Sequence, residues 1–186
     1  MALNRQLPSS VAYGSWDWDV QARQHVAILC ACARDSILNS IAPRIVDLPI
    51  GSTMTRDQTA DWIDSLEPNR FSETTLMSIA KNINSSWTQA GYLAGKVRKT
   101  RIYSSPTVGS VVYGLFLNYI DGRRGLQLVQ EGYVKLLDCT PQDAIEKARQ
   151  AAQRGWIVLK HVEGALEVGF PRFLSSQEMS QLNEQN

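Results

Sequence analysis

The stretch from Ser72 to Gly91 constrains this chain most, because it encodes one long amphipathic helix with both ends marked. Ser72 suits an N-cap, and Gly91 suits the position just past the last turn, where left-handed backbone ends a helix. Leu76, Ile79, Ala80, Ile83, Trp87 and Ala90 fall on one stripe at about 100° per residue. The opposite face carries Thr74, Ser78, Lys81, Asn82, Ser85, Thr88 and Gln89, which are hydrogen-bonding groups without a carboxylate. Such a helix buries one side and leaves the other for solvent or a partner.

The next segment runs from Tyr92 to Tyr103, and Gly95 within it can turn the chain. Val97, Lys99, Arg101 and Tyr103 alternate with Lys96, Arg98, Thr100 and Ile102, which predicts a short strand pair with a charged tip. Upstream, Thr55 suits an N-cap for a helix through Ala60, Trp62, Ile63 and Leu66, and Pro68 stops it. Helix, turn, long helix and basic hairpin is the order of a winged helix-turn-helix.

The remaining chain gives further elements. Residues 1–14 read as a loose polar arm. From Val20, apolar residues at Val26, Leu29, Cys30, Ala33, Ile37, Leu38 and Ile41 predict a helix, ended by Pro43 and Pro49-Ile50-Gly51. Helical segments are predicted over Thr107–Ile120 and Arg124–Leu137. Thr140-Pro141-Gln142-Asp143 begins another helix, ending at Gly155. Trp156–Val162 and Ala165–Phe170 read as strands with Ile157, Leu159, Leu166, Val168 and Phe170 on one face. The expected fold class is therefore mainly α with short β-hairpins (α+β), as two winged helix-turn-helix-like units. The expected divisions are an N-terminal arm and helices at 1–54, units at 55–104 and 105–174, and a flexible tail at 175–186.

Three cysteines, Cys30, Cys32 and Cys139, form no disulfide framework and fit a reduced, cytoplasmic setting. A secretory signal pattern is not expected, and neither is a membrane partner, because Val108–Ile120 is too short and polar-broken to span a bilayer. The cysteines and the two histidines lack zinc-ligand spacing, and no phosphate-binding glycine loop occurs, so neither metal, cofactor nor enzymatic chemistry is expected.

Net charge is +1 overall, yet residues 71–130 hold 7 basic and 2 acidic side chains. A localised basic patch is the footprint of a polyanion partner. Lys96, Arg98, Lys99 and Arg101 suit phosphates, although a solvated sheet edge also favours lysine. On the long helix, Asn82 and Gln89 suit adenine edges, Lys81 guanine or phosphate, and Ser85 either. An ordinary surface helix would show similar polarity. Arg123 and Arg124 form a second cationic spot at a predicted helix start, where the dipole prefers anions, with a solvated turn as the simpler alternative. Tyr13, Trp16 and Trp18 precede the first helix, either stapling the arm to the core or anchoring a protein partner.

Phe71 through Leu93, from Phe71-Ser72-Glu73 to Ala90-Gly91-Tyr92-Leu93, resembles the central helix of the BrxA family, small proteins encoded with BREX phage-defence systems. Gly95-Lys96-Val97-Arg98-Lys99-Thr100-Arg101-Ile102 is similar to that family's basic hairpin. Ala151 to Val158 and Leu166 to Phe170 resemble its closing helix and strands, so the likeness spans roughly residues 55–170. The resemblance implies a double winged-helix protein that binds double-stranded DNA without enzymatic activity, beside other defence-system proteins. A winged-helix transcription regulator and a protein–protein adaptor, which the acidic second wing would suit, are the alternatives.

Overall fold

The computed structural model describes residues 19–162 and 164–173; the N-terminal arm, the Tyr13–Trp18 aromatics, Glu163 and the polar tail lie outside them. The chain is mainly helical, with small antiparallel sheets of three and two strands. It divides into two compact units, one of them Ala27–Ser104, the other holding described residues 19–26 and 105–173. Residues 27–54 thus pack within the first of these units and are not a separate N-terminal segment.

In Ala27–Ser104 the predicted first helix is two helices, α1 (Arg23–Arg34, entering from the other unit) and α2 (Ser36–Val46). The apolar stripe continues across the break, which is why periodicity alone reads as one helix. Asp35 interrupts it: its extended backbone (φ −115°, ψ 113°) lets the carboxylate accept from Ile37 N and Leu38 N, each at 2.9 Å. That satisfies two of the orphan donors at a new helix start. Pro43 does not end α2 but lies exposed inside it, forgoing the bond its absent N–H would make to Asn39.

Next come β1 (Thr53–Met54), α3 (Arg56–Asp64), α4 (Glu73–Gln89), β2 (Leu93–Ala94) and β3 (Lys99–Arg101). The strands order β1-β3-β2, with Thr53 opposite Thr100 and Leu93 opposite Arg101. The sequence reading missed β1, because two residues are too few to show alternation. Helices α3 and α4 pack together, and Ile28, Leu29, Ile41, Ile45, Met54, Ile83, Trp87 and Leu93 are buried.

The other unit is built on α5 (Val108–Ile120), in which every residue but Gly109 is buried. Helices α6 (Gln127–Gln130), α7 (Gly132–Lys135) and α8 (Pro141–Gln153) pack on it. Thr107 and Ser110 form its capping box, and Asp19 Oδ2 accepts from Gly109 N at 2.9 Å. No helix among the described residues is long and apolar enough to cross a membrane.

The predicted helix Arg124–Leu137 is corrected to the two single turns α6 and α7. Fully buried Asn118 separates them by donating to Leu128 O (2.8 Å) and Glu131 O (2.9 Å) and accepting from Tyr133 N (2.8 Å). Gly132, at φ 57°, leaves the space this clamp needs, since a Cβ there would collide with Asn118 Oδ1. Strands β4 (Val158–Val162) and β5 (Ala165–Gly169) form the closing hairpin, with Leu166, Val168 and Phe170 buried and Phe170 packed on Phe116, Tyr119 and Phe173.

Candidate nucleic-acid interface

Two caps set the directions of α3 and α4: Thr55 Oγ1 accepts from Gln58 N, and Ser72 Oγ accepts from Thr75 N. Between the helices, buried Thr59 Oγ1 and Asn84 Oδ1 hydrogen-bond at 2.9 Å. Asn84 therefore turns inward with Ala80, Ile83 and Trp87. At the end of α4 the Trp87 and Tyr92 rings meet edge-on, with centroids 4.7 Å apart, joining helix to hairpin.

This packing leaves Thr74, Ser78, Lys81, Asn82, Ser85 and Gln89 exposed along α4, with Thr88 half-buried. Four predicted site residues, Lys81, Asn82, Ser85 and Gln89, are thus brought onto one exposed face. Gln89 Nε2 donates weakly to Ser85 Oγ at 3.4 Å. The helix's carboxylate, Glu73, stays in its first turn, where the dipole favours an anion.

In the hairpin the structure separates four cations that the sequence grouped. Lys96 and Arg98 are exposed at the tip and make no hydrogen bond or ion pair among the described residues. Lys99 is half-buried, its Nζ donating to Gly95 O at 2.7 Å across the turn. Arg101 does not belong to a solvated surface at all: it is 1 % exposed. Its guanidinium donates to Ile45 O and Val46 O (both 3.2 Å) and to Ile102 O, and lies over the Tyr92 ring, 5.1 Å from its centroid. Ile45 and Val46 end α2, so Arg101 supplies the cation and donors that a helix C-terminus lacks. One signal for this was available: directly opposed strand residues share a face, and Arg101 opposes buried Leu93.

Arg123 and Arg124 are likewise corrected as a solvated cationic spot. Both are partly buried in the turn before α6, not at a helix start. Arg123 pairs with Asp121 and, at 3.6 Å, with Glu131. Arg124 lies 3.9 Å over the Tyr119 ring and donates to Tyr119 O (2.7 Å) and Arg123 O (2.8 Å). They sit in the other unit from Lys96 and Arg98.

Two of the three thiols, Cys32 and Cys139, offer little nucleophilic chemistry. Burial pushes Cys32 up to about 12, the Asp35 carboxylate adding to it, and burial likewise pushes Cys139 up to about 11 despite Lys147. Both pKa values rise above the ordinary 9.0 on folding, so the folded state favours the protonated thiols. The stability this contributes is present below pH 9 and lost as pH climbs towards 11 and 12. Urea unfolding of a Cys32→Ala/Cys139→Ala variant should show a shallower alkaline decline than the parent chain; an equally steep decline contradicts the assignment. Among the described residues no group of three His, Cys, Asp or Glu side chains is placed to hold a metal ion.

Comparison with protein-family models, with curated proteins and with solved structures finds no match.

Proposed function

We propose that this chain is a cytoplasmic, non-enzymatic protein that binds double-stranded DNA, as an accessory factor of a bacterial BREX-type phage-defence system. The carrying observation is the exposed, carboxylate-free face of α4 beyond its first turn, followed in the same unit by a hairpin whose tip cations Lys96 and Arg98 have no partner among the described residues. Helix, short strand, helix-turn-helix and two-stranded hairpin is the element order of a winged helix-turn-helix, whose second helix enters the major groove. On this reading Asn82 and Gln89 face base edges, while Lys81, Lys96, Arg98 and part of Lys99 face phosphates. Arg101 is removed from the binding set because it caps α2. What supports the defence-system part is the sequence resemblance over residues 55–170; a winged-helix transcription regulator would use the same surface.

A second reading, protein–protein adaptor, is favoured by the β4–β5 hairpin. Val158 and Val162 are exposed on it, beside an exposed Lys160–Glu167 pair at 3.3 Å. Charge reversal separates the readings. Lys96→Glu with Arg98→Glu should weaken duplex binding at least about tenfold at moderate salt and leave the melting temperature unchanged, because both side chains are solvated. Unchanged duplex affinity in that variant moves the site away from this hairpin.

A further inference from the structure

The outer face of the β4–β5 hairpin sorts its residues by size and by charge. Directly opposed residues of paired strands share a face, and while Leu166 and Val168 turn inward to the core, three pairs lie on the other side: Val158–Gly169, Lys160–Glu167 and Val162–Ala165. Val158 is 52 % and Val162 69 % exposed, and Lys160, Ala165 and Glu167 are exposed beside them. In both apolar pairs the branched side chain belongs to β4 and the small residue to β5. A Cβ built on Gly169 would lie 3.6 Å from Val158 Cβ, so the place beside that valine is empty only because glycine has no side chain. The charged pair between them is divided in the same sense, with the cation on β4 and the anion on β5, 3.3 Å apart.

We propose that this face binds a second copy of the chain, hairpin upon hairpin, around a two-fold axis parallel to the strands. A two-fold interface is self-complementary: if one residue meets another across it, the second meets the first. An axis along the strands keeps each row of the hairpin level and lays β4 over the partner's β5. Lys160 then stands over the partner's Glu167, Val158 over the partner's Gly169 and Val162 over the partner's Ala165. Large meets small and cation meets anion in every row. An axis across the strands would instead stack like charges on each other, which repels. Lys160 and Glu167 each gain a second opposite charge, which offsets part of the cost of drying the pair. Five residues make a face about 17 Å long and two strands wide, smaller than the about 800 Å² per partner of a standard interface, so the dimer is weak and depends on concentration. The proposal is independent of the DNA-binding reading.

The test is sedimentation equilibrium of the full chain without DNA, from about 10 µM to about 1 mM, where a small interface should carry the average mass from monomer towards dimer. Lys160→Glu alone and Glu167→Lys alone each set like charges across the axis and should weaken self-association at least about tenfold. Both positions are exposed, so the melting temperatures should stay at the parental value. An equal mixture of the two variants should associate again, because every cross-copy pair is then of opposite sign. The double variant Lys160→Glu/Glu167→Lys should associate with itself like the parent. A parent that stays monomeric throughout overturns the proposal and leaves the face to a different partner. Single variants that associate as well as the parent, or an equal mixture that does not recover, overturn it too.

Discussion

Replacing Arg101 by Ala should destabilise the chain by about 3–5 kcal/mol, although three other cations of the same hairpin should tolerate the change. The difference follows from burial. Arg101 is 1 % exposed and donates to the carbonyls of Ile45, Val46 and Ile102. Removing it strands buried acceptors, at about 1–3 kcal/mol each where no other donor replaces it, and opens a cavity beside Tyr92. Ile45 O is partly protected, because Asp47 N and Leu48 N also reach it. Arg101→Lys should recover only part of the loss, since one ammonium lacks the planar fork that reaches the end of α2 and Ile102 together. Urea unfolding of the three alanine variants Lys96, Arg98 and Arg101 gives the comparison. Near-parental stability of Arg101→Ala would contradict the capping role and return Arg101 to the binding surface.

Trp87→Ala should cost a similar amount, about 3–5 kcal/mol, against a total of about 5–15 kcal/mol for an ordinary domain. The indole is fully buried, and its ring locks edge-on against Tyr92 where α4 hands over to β2. Its Nε1 is buried without a hydrogen-bond partner among the described residues. Trp87→Phe should therefore be far milder, because it deletes an unsatisfied donor together with the lost area. Asn82→Ala and Gln89→Ala, on the exposed face, should leave the melting temperature unchanged. On the DNA reading they lower affinity for a preferred site by about 1–3 kcal/mol each, with less effect on random DNA. A destabilised Asn82→Ala beside a folded, DNA-binding Trp87→Ala would mean that α4 presents its other face.

Much of α4 was legible in the sequence because its signals are local. Ser72, the stripe from Ala80 to Trp87, and Gly91 at φ 82° each act within a turn or two. The strand after Gly164 was legible for the same reason, its exposed and buried residues alternating from Ala165 to Val168. What stayed hidden depends on partners distant in the chain. Asn84 reads as one more polar residue until Thr59, 25 positions away, meets it. Arg101 reads as part of a cationic run until the carbonyls of Ile45 and Val46, more than fifty positions earlier, are placed against it. Asn118 and Gly132 split a helix that composition alone would continue. In the candidate site the residue types of α4 were readable, whereas the cation count was not, because residue type alone does not separate a solvated arginine from one capping a helix, and the one signal for Arg101 needs the register that sets it opposite Leu93.

That revised count makes the central claim measurable. With Arg101 buried and Arg123 and Arg124 paired, the exposed cations on α4 and the hairpin tip are Lys81, Lys96 and Arg98, with Lys99 partly held by Gly95 O. Three or four phosphate contacts predict that log K for duplex DNA falls against log salt with a slope of about −3 to −4. The Lys96→Ala/Arg98→Ala variant should lower that slope by about 2. A salt titration of the full chain on a short duplex is the direct measurement. Binding that weakens with this slope, and less steeply in the variant, is the predicted result. No binding at low salt, or a flat response to salt, would contradict the claim that this chain binds DNA through α4 and its hairpin.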